Sequence, residues 1–436
     1  MKHEVDVAVL GAGPAGVAAA ISLQKLGHSV MLLGVSRNTS VEGLSQRAHA
    51  LLTRLGLNEA ATVARGPGKR SGTWAGAAVG MNTEYVVDRI EFDDALSRDA
   101  ASHDLPLQPV WITAVEKDSE AWCVRTRSGV IRCRAVVDAR GRRIGRGLQR
   151  GPSLVAIAQR LAGVGARLPR TMICPMESGW CWFAGDDRGA ACVQLVTSSP
   201  GLSVTRAGLS QLVLTGLSRV FEPVGGCGDV IPVGVPEARA ATARRVMPSG
   251  HEGYVRAGDA AVACDPLSGH GLYEALRSAS VAAAAVHTYL TRNAWDAVAR
   301  FLTESSEELW ASAINAAAAF YQQQAACTPT PFWTRTARLY AALRPAQPRR
   351  DGSRVESRPV LNGSLIEMRD VVVTAERPRG VWQLDAVELA GVIEFFHNEP
   401  TADVERAAHE LERQPAAIIN AVRWLTAHGL LRGCKS

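Results

Sequence analysis

Gly11, Gly13 and Gly16 stand in the run Gly11-Ala-Gly-Pro-Ala-Gly16, after the apolar stretch Val5 to Leu10 and at the head of the apolar pattern Ala15 to Leu26. Strand, glycine turn and helix in that order predict a dinucleotide cradle. Gly11 permits the tight turn, Gly13 lets the backbone approach a pyrophosphate, and Gly16, beside Ala15, lets helix and strand pack closely. The helix start adds free N–H groups and partial positive charge for the phosphates. An acidic residue for the ribose is expected about 20 residues on. Gly34 stands at the end of the next strand, Ser29 to Leu33, followed by Ser36 and Arg37. This motif alone therefore leaves FAD and NADP both open.

A second cluster narrows the choice. Gly253-Tyr-Val-Arg-Ala-Gly-Asp259 reads as a strand ending in a turn, and Asp265-Pro-Leu-Ser-Gly-His-Gly271 leads into a helix over Leu272 to Leu290. Paired with the first motif, it resembles the distal FAD motif of the flavin aromatic hydroxylases. The resemblance implies that Gly258 and Asp259 meet the pyrophosphate and ribityl chain, with Asp259 accepting from a ribityl hydroxyl. Gly269, His270, Gly271 and the following helix N-terminus would face the flavin's pyrimidine edge and stabilise negative charge on the reduced ring. His270 is the leading candidate for a catalytic polar group there, unless its backbone alone does the work. Leu44 to Gly56 resembles that family's second helix and places Arg47 at the cofactor. Asp88 to Leu96 resembles the segment that places Arg89 near the flavin. Val136-Val-Asp-Ala-Arg-Gly141 resembles its second glycine-terminated strand.

Ser178-Gly-Trp-Cys-Trp182 puts Trp180 and Trp182 two apart, on one side of a strand. They are candidates for a substrate pocket, with two core tryptophans as the other reading. The pattern resembles the Trp-x-Trp of the flavin tryptophan halogenases. Phe183-Ala184 replaces the isoleucine–proline that follows in that family, and Lys69, in Gly68-Lys-Arg-Ser-Gly-Thr-Trp74, is a poor match to its lysine. The combination is similar to the flavin monooxygenases that hydroxylate a tryptophan within a precursor protein, as in cysteine tryptophylquinone biogenesis of quinohaemoprotein amine dehydrogenase. That resemblance implies bound FAD, O2 as oxidant, and electrons from transient NAD(P)H or a separate flavin reductase, because no second glycine fingerprint exists. Its alternatives are a flavin halogenase or small-molecule aromatic hydroxylase, and a reductase of the geranylgeranyl-reductase type.

The elements that must position these residues give an α/β chain: a Rossmann-type FAD-binding fold of the aromatic hydroxylase type with a β-sheet substrate domain. Residues 1–150 and 250–295 form the FAD part, 151–249 a substrate-binding sheet, 296–350 a helical segment and linker, and 360–436 a small winged-helix-like module. Arg349 to Arg358 reads as linker. Val371 to Thr374 and Val381 to Leu384 are predicted to pair as a hairpin whose edge is free for an extended peptide. A protein or peptide substrate docking partly on this module is the expected partner. Asp403, Glu405, Glu410 and Glu412 outnumber Arg406 and Arg413 in the tail's middle helix, and the last helix offers only Arg423 and Arg432, against nucleic-acid binding. The net charge of +6 over 436 residues is too mild to nominate such a partner. The nine cysteines are scattered without metal spacing, so no metal site is expected and free thiols point to the cytoplasm. No apolar stretch is long enough to span a membrane.

Overall fold

The structure, a computed structural model, describes residues 3–35, 40–143, 148–162, 170–189, 191–199, 206–221, 230–345 and 352–431. Ser36, Arg37 and Arg432 lie outside them. The chain divides into two compact units, one of Met1–Asn293 with Ser305–Arg344, the other of Ala294–Glu304 with Pro345–Ser436.

The first unit holds two large sheets. In the first sheet, the strand His3–Leu10 lies between Val30–Leu33 and Gly129–Asp138, parallel to both. A strand with parallel neighbours on both sides is covered on both faces, and Val7 to Leu10 are accordingly fully buried. The chain returns to this sheet with Tyr254–Arg256, again parallel to Gly129–Asp138. An antiparallel meander, Ile112–Lys117 and Trp122–Thr126, extends it. The helices Pro14–Lys25 and Gly271–Arg292 pack on each other.

The second sheet has eight strands, in the order Ile231–Ala240, Leu154–Ala162, Ala191–Ser198, Gly179–Gly185, Arg170–Met176, Arg65–Trp74, Ala77–Asp88, Val41–Ser45. It reaches beyond the 151–249 expected from sequence, because its last three strands come from the first ninety residues. On the strand Gly179–Gly185, Cys181 and Phe183 pack with Val213 of the helix Arg206–Phe221. Trp180 faces the opposite side, among Tyr321, Trp333 and Tyr340. Those aromatics belong to the helices Trp295–Cys327 and Pro331–Ala342, whose alanine-rich sequence lets large rings fill the space between them.

The second unit corrects two expectations. Part of the presumed linker, from Arg354 onward, is a strand: Arg354–Asn362 pairs along its whole length with Leu365–Val373. Its charges are accommodated along the strand, Glu356 bridging Arg354 and Arg358. The expected hairpin of Val371 to Thr374 with Val381 to Leu384 shrinks to one bridge, Val372 and Val381 exchanging backbone bonds at 2.9 Å. The edge at Val371–Val373 is therefore occupied on both sides and offers no strand addition. Three helices, Leu389–Asn398, Val404–Glu410 and Pro415–Ala427, complete the module around Val387, Val392, Phe396, Ile418 and Leu425. Among the described residues, no helix is long and apolar enough to cross a membrane.

Candidate functional site

The glycine turn is shaped by close backbone approach. Gly11 has φ +115°, and a Cβ there would stand 2.4 Å from the Ala139 carbonyl oxygen. A Cβ on Gly16 would stand 1.8 Å from the Gly11 carbonyl oxygen. Neither position accepts a side chain. The turn that presses on Gly11 is itself fixed by Asp138, fully buried, whose carboxylate takes Arg140 Nε at 3.0 Å and the Tyr254 hydroxyl. Gly13 is different, since a Cβ there would meet nothing within 4 Å. It caps the helix Pro14–Lys25 with no side-chain hydrogen bond to the first turn. An open N-terminus with free N–H groups is what an entering pyrophosphate requires.

The second motif comes to the same place. Gly258, at φ +60°, is tied by its N–H to Ser278 Oγ at 2.7 Å, and a Cβ on it would stand 3.0 Å from the Ala15 methyl. The Gly258–Asp259 turn thus sits on the first turn of the cradle helix. Asp259 accepts from Arg142 Nε at 3.0 Å, and Arg142 also donates to the Thr242 carbonyl at 2.7 Å. Gly269 is left-handed (φ +64°), and Gly269, His270 and Gly271 are exposed at the start of the helix Gly271–Arg292, whose cap residue His270 makes no side-chain cap bond. Two uncapped helix starts joined by a tight glycine contact fit a bound FAD. Gly11, Gly13, Ala15, Gly16, Gly258 and Asp259 would hold its phosphates and ribityl chain, and 269–271 its ring edge.

The two arginines assigned to the cofactor differ in their surroundings. Arg47 is exposed on the helix Gln46–Leu55. Arg89 is 6% exposed and bound by Glu42 at 3.0 Å and Asp93 at 2.8 Å. Burial works against its charge, but the two carboxylates more than offset this and hold its pKa above the usual arginine value.

Sequence reasoning missed two polar groups at the loop of residues 265–271. Asp265 opens that loop and is fully buried. Its Oδ1 accepts from the Leu267 N–H at 2.9 Å, and its Oδ2 accepts from the hydroxyls of Tyr340 and, at 3.3 Å, Tyr321. Burial pushes its carboxyl pKa up against the pull of these donors. Tyr321 in turn accepts from Trp180 Nε1 at 3.1 Å, so Trp180 is tied to that loop through Tyr321 and Asp265. The second group is on the eight-stranded sheet. A Cβ on Gly269 would lie 3.4 Å from Arg70 Nη2. Arg70 Nε is 3.6 Å from Glu84, which is 6% exposed and accepts from the Thr171 hydroxyl. Glu84 and the Trp182 ring both border Gly43, whose Cβ would stand 2.6 Å from Glu84 Oε2 and 3.3 Å from Trp182 Cζ2. Lys69 is exposed.

A family described as FAD binding domain matches residues 4–117. The peptidyl tryptophan dihydroxylase QhpG, described as essential for tryptophylquinone cofactor biogenesis, is 30% identical, with a TM-score of 0.81 over 98% of this chain and 100% of that one. The chain belongs to the FAD-dependent monooxygenases. This monooxygenase also shares its fold with the flavin-dependent halogenase CmlS, at 20% identity and a TM-score of 0.75 over 99% of this chain and 96% of that one. The p-nitrophenol 4-monooxygenase PnpA from Pseudomonas putida DLL-E4 is 17% identical, with a TM-score of 0.61 over 78% of this chain and 93% of that one. No curated protein matches the chain.

Proposed function

We propose that this monooxygenase hydroxylates a tryptophan ring within a protein or peptide precursor, as a step in quinone cofactor biogenesis in the cytoplasm. The observation that carries the reading is the likeness to the peptidyl tryptophan dihydroxylase along the full length of both chains, second unit included.

FAD, when bound, supplies the electrons that activate O2, and is itself reduced by NAD(P)H or a partner reductase. The chain's residues do the rest. The open helix start at Gly13 holds the pyrophosphate, and Asp259, oriented by Arg142, accepts from the ribityl chain. The helix start at Gly271 sets a positive dipole end at the ring edge, with His270 as the polar side chain nearest to it in sequence. Trp182, whose ring lies with Glu84 beside Gly43, is the side chain we assign to the aromatic substrate. Trp180 holds that strand to Tyr321. The second unit recognises the precursor protein through a surface other than the paired edge at Val371–Val373.

The test is to supply the purified protein with FAD, NAD(P)H or a reductase, O2, chloride and bromide, and a tryptophan-bearing precursor encoded beside it. Mass spectrometry should find added oxygen on a tryptophan of the precursor and no halogen. A chlorine or bromine isotope pattern would establish a halogenase instead. Hydroxylation of free indoles with an untouched precursor would establish a small-molecule hydroxylase.

A further inference from the structure

The pair Arg70 and Glu84 has no place yet in the cofactor site. Arg70 lies on the strand Arg65–Trp74, its backbone opposite Thr171, and its guanidinium faces Gly269, with Nη2 3.4 Å from where a Cβ on that glycine would stand. Gly269 belongs to the exposed loop that starts the helix Gly271–Arg292, so the guanidinium sits where the flavin's ring edge would be seated. Glu84 fixes it from behind. Its carboxylate is buried, with Oε1 3.6 Å from Arg70 Nε and held by the Thr171 hydroxyl. A long arginine on a surface would spend entropy to hold one geometry. Here the sheet holds it, with the charged head turned to the loop.

We propose that Arg70, positioned by Glu84, places a fixed positive charge at the ring edge of bound FAD and strengthens the hold on the reduced, more anionic flavin over the oxidised one. Guanidinium does not lose its proton in proteins, so the charge persists through turnover. A partly buried charge acts in a lower dielectric than water and outweighs distant surface charges. The proposal rests on FAD lying between the two glycine motifs and not on the identity of the aromatic substrate.

The experiment needs no substrate. On the holoprotein, the affinity for oxidised FAD is measured by flavin fluorescence and the two-electron midpoint potential by dye equilibration. Arg70→Met should bind oxidised FAD within about threefold of wild type. It should lose about tenfold or more of the preference for reduced flavin, lowering the midpoint by about 30 mV. Arg70→Lys, which keeps the charge, should recover most of that loss. Lys69→Met removes an exposed charge from the adjacent residue and should leave the potential unchanged. An unchanged potential in Arg70→Met overturns the proposal. So does an equal shift in Arg70→Lys, or an equal shift in Lys69→Met. Should Arg70→Met fail to fold, Arg70→Gln takes its place: a wild-type potential there overturns the proposal. A wild type that fails to hydroxylate a precursor leaves every one of these readouts in force.

Discussion

Tyr340→Phe removes one hydroxyl from the buried carboxylate of Asp265 and changes little else. The Tyr321 and Tyr340 rings stack with centroids 5.2 Å apart and planes 18° apart, and phenylalanine keeps that packing. The loss is then a hydrogen bond to a charged acceptor, worth about 1.5–3 kcal/mol. Tyr321→Phe should cost about 1 kcal/mol at the carboxylate, with a further penalty for leaving Trp180 Nε1 without its acceptor. The two should not add, because both act on one oxygen of Asp265. The pH dependence has a definite sign. Asp265 has a raised pKa in the folded protein, so the stability linked to its protonated form is present below the ordinary carboxyl range, about 3.9, and is lost as pH rises through the folded value. Removing a donor raises that value further. The Tyr340→Phe defect should therefore be larger at pH 8 than at pH 5, and Asp265→Asn should flatten the pH slope. Urea titrations followed by tryptophan fluorescence at the two pH values measure this directly. Tyr340→Phe within about 0.5 kcal/mol of wild type at both pH values would refute the reasoning, since that is the spread of an inconsequential surface change.

Gly16→Ala should prevent stable folding of the FAD-bearing unit, whereas Gly13→Ala should leave thermal stability nearly unchanged and weaken FAD binding by about tenfold or more, 1.4 kcal/mol, as read by flavin fluorescence. Asp259→Ala should weaken FAD retention by about 1–3 kcal/mol, and a wild-type dissociation constant would remove it from the site. His28 Nε2 and His287 Nδ1 are 2.9 Å apart, and burial lowers both pKa values. Stability they support is present above about pH 6.5 and lost as pH falls through their folded values, so His287→Gln should reduce the acid sensitivity seen in melting curves. Deleting residues 345–436 should leave flavin reduction intact, read by absorbance, and abolish hydroxylation of the precursor protein, read by mass.

The glycine motifs were legible because backbone contact dictates them: no other residue fits 1.8 Å from a carbonyl oxygen. Arg70 was not, although it stands next to Lys69. Its strand, Arg-Gly-Pro-Gly-Lys-Arg-Ser-Gly-Thr-Trp, carries three glycines and a proline, which local propensity reads as loop. The sheet demands one of those glycines, since a Cβ on Gly72 would meet the Ile173 carbonyl oxygen at 2.2 Å. Asp265 looked like a turn residue, and its tyrosine donors come from helices more than fifty positions downstream, beyond any local pattern. The strand Arg354–Asn362 was hidden by its charges, yet Asn362-Gly363 announced it. A two-residue loop with Gly363 at φ +58° joins it to the next strand, a hairpin turn that sequence can show.

The return of Tyr254–Arg256 to the first sheet sets an order of events during synthesis. The cradle at Gly11 to Gly16 leaves the ribosome early, but its turn is shaped only once Asp138 and Ala139 follow. Its floor at Gly258 and the loop of residues 265–271 come after all eight strands of the second sheet. Such long-range parallel pairing is slow, and an unpaired strand edge invites aggregation until it closes. Nascent chains truncated before residue 250 should therefore bind no flavin, and newly made protein should gain from flavin supplied at the moment the second motif emerges, when binding can pull the sheet shut.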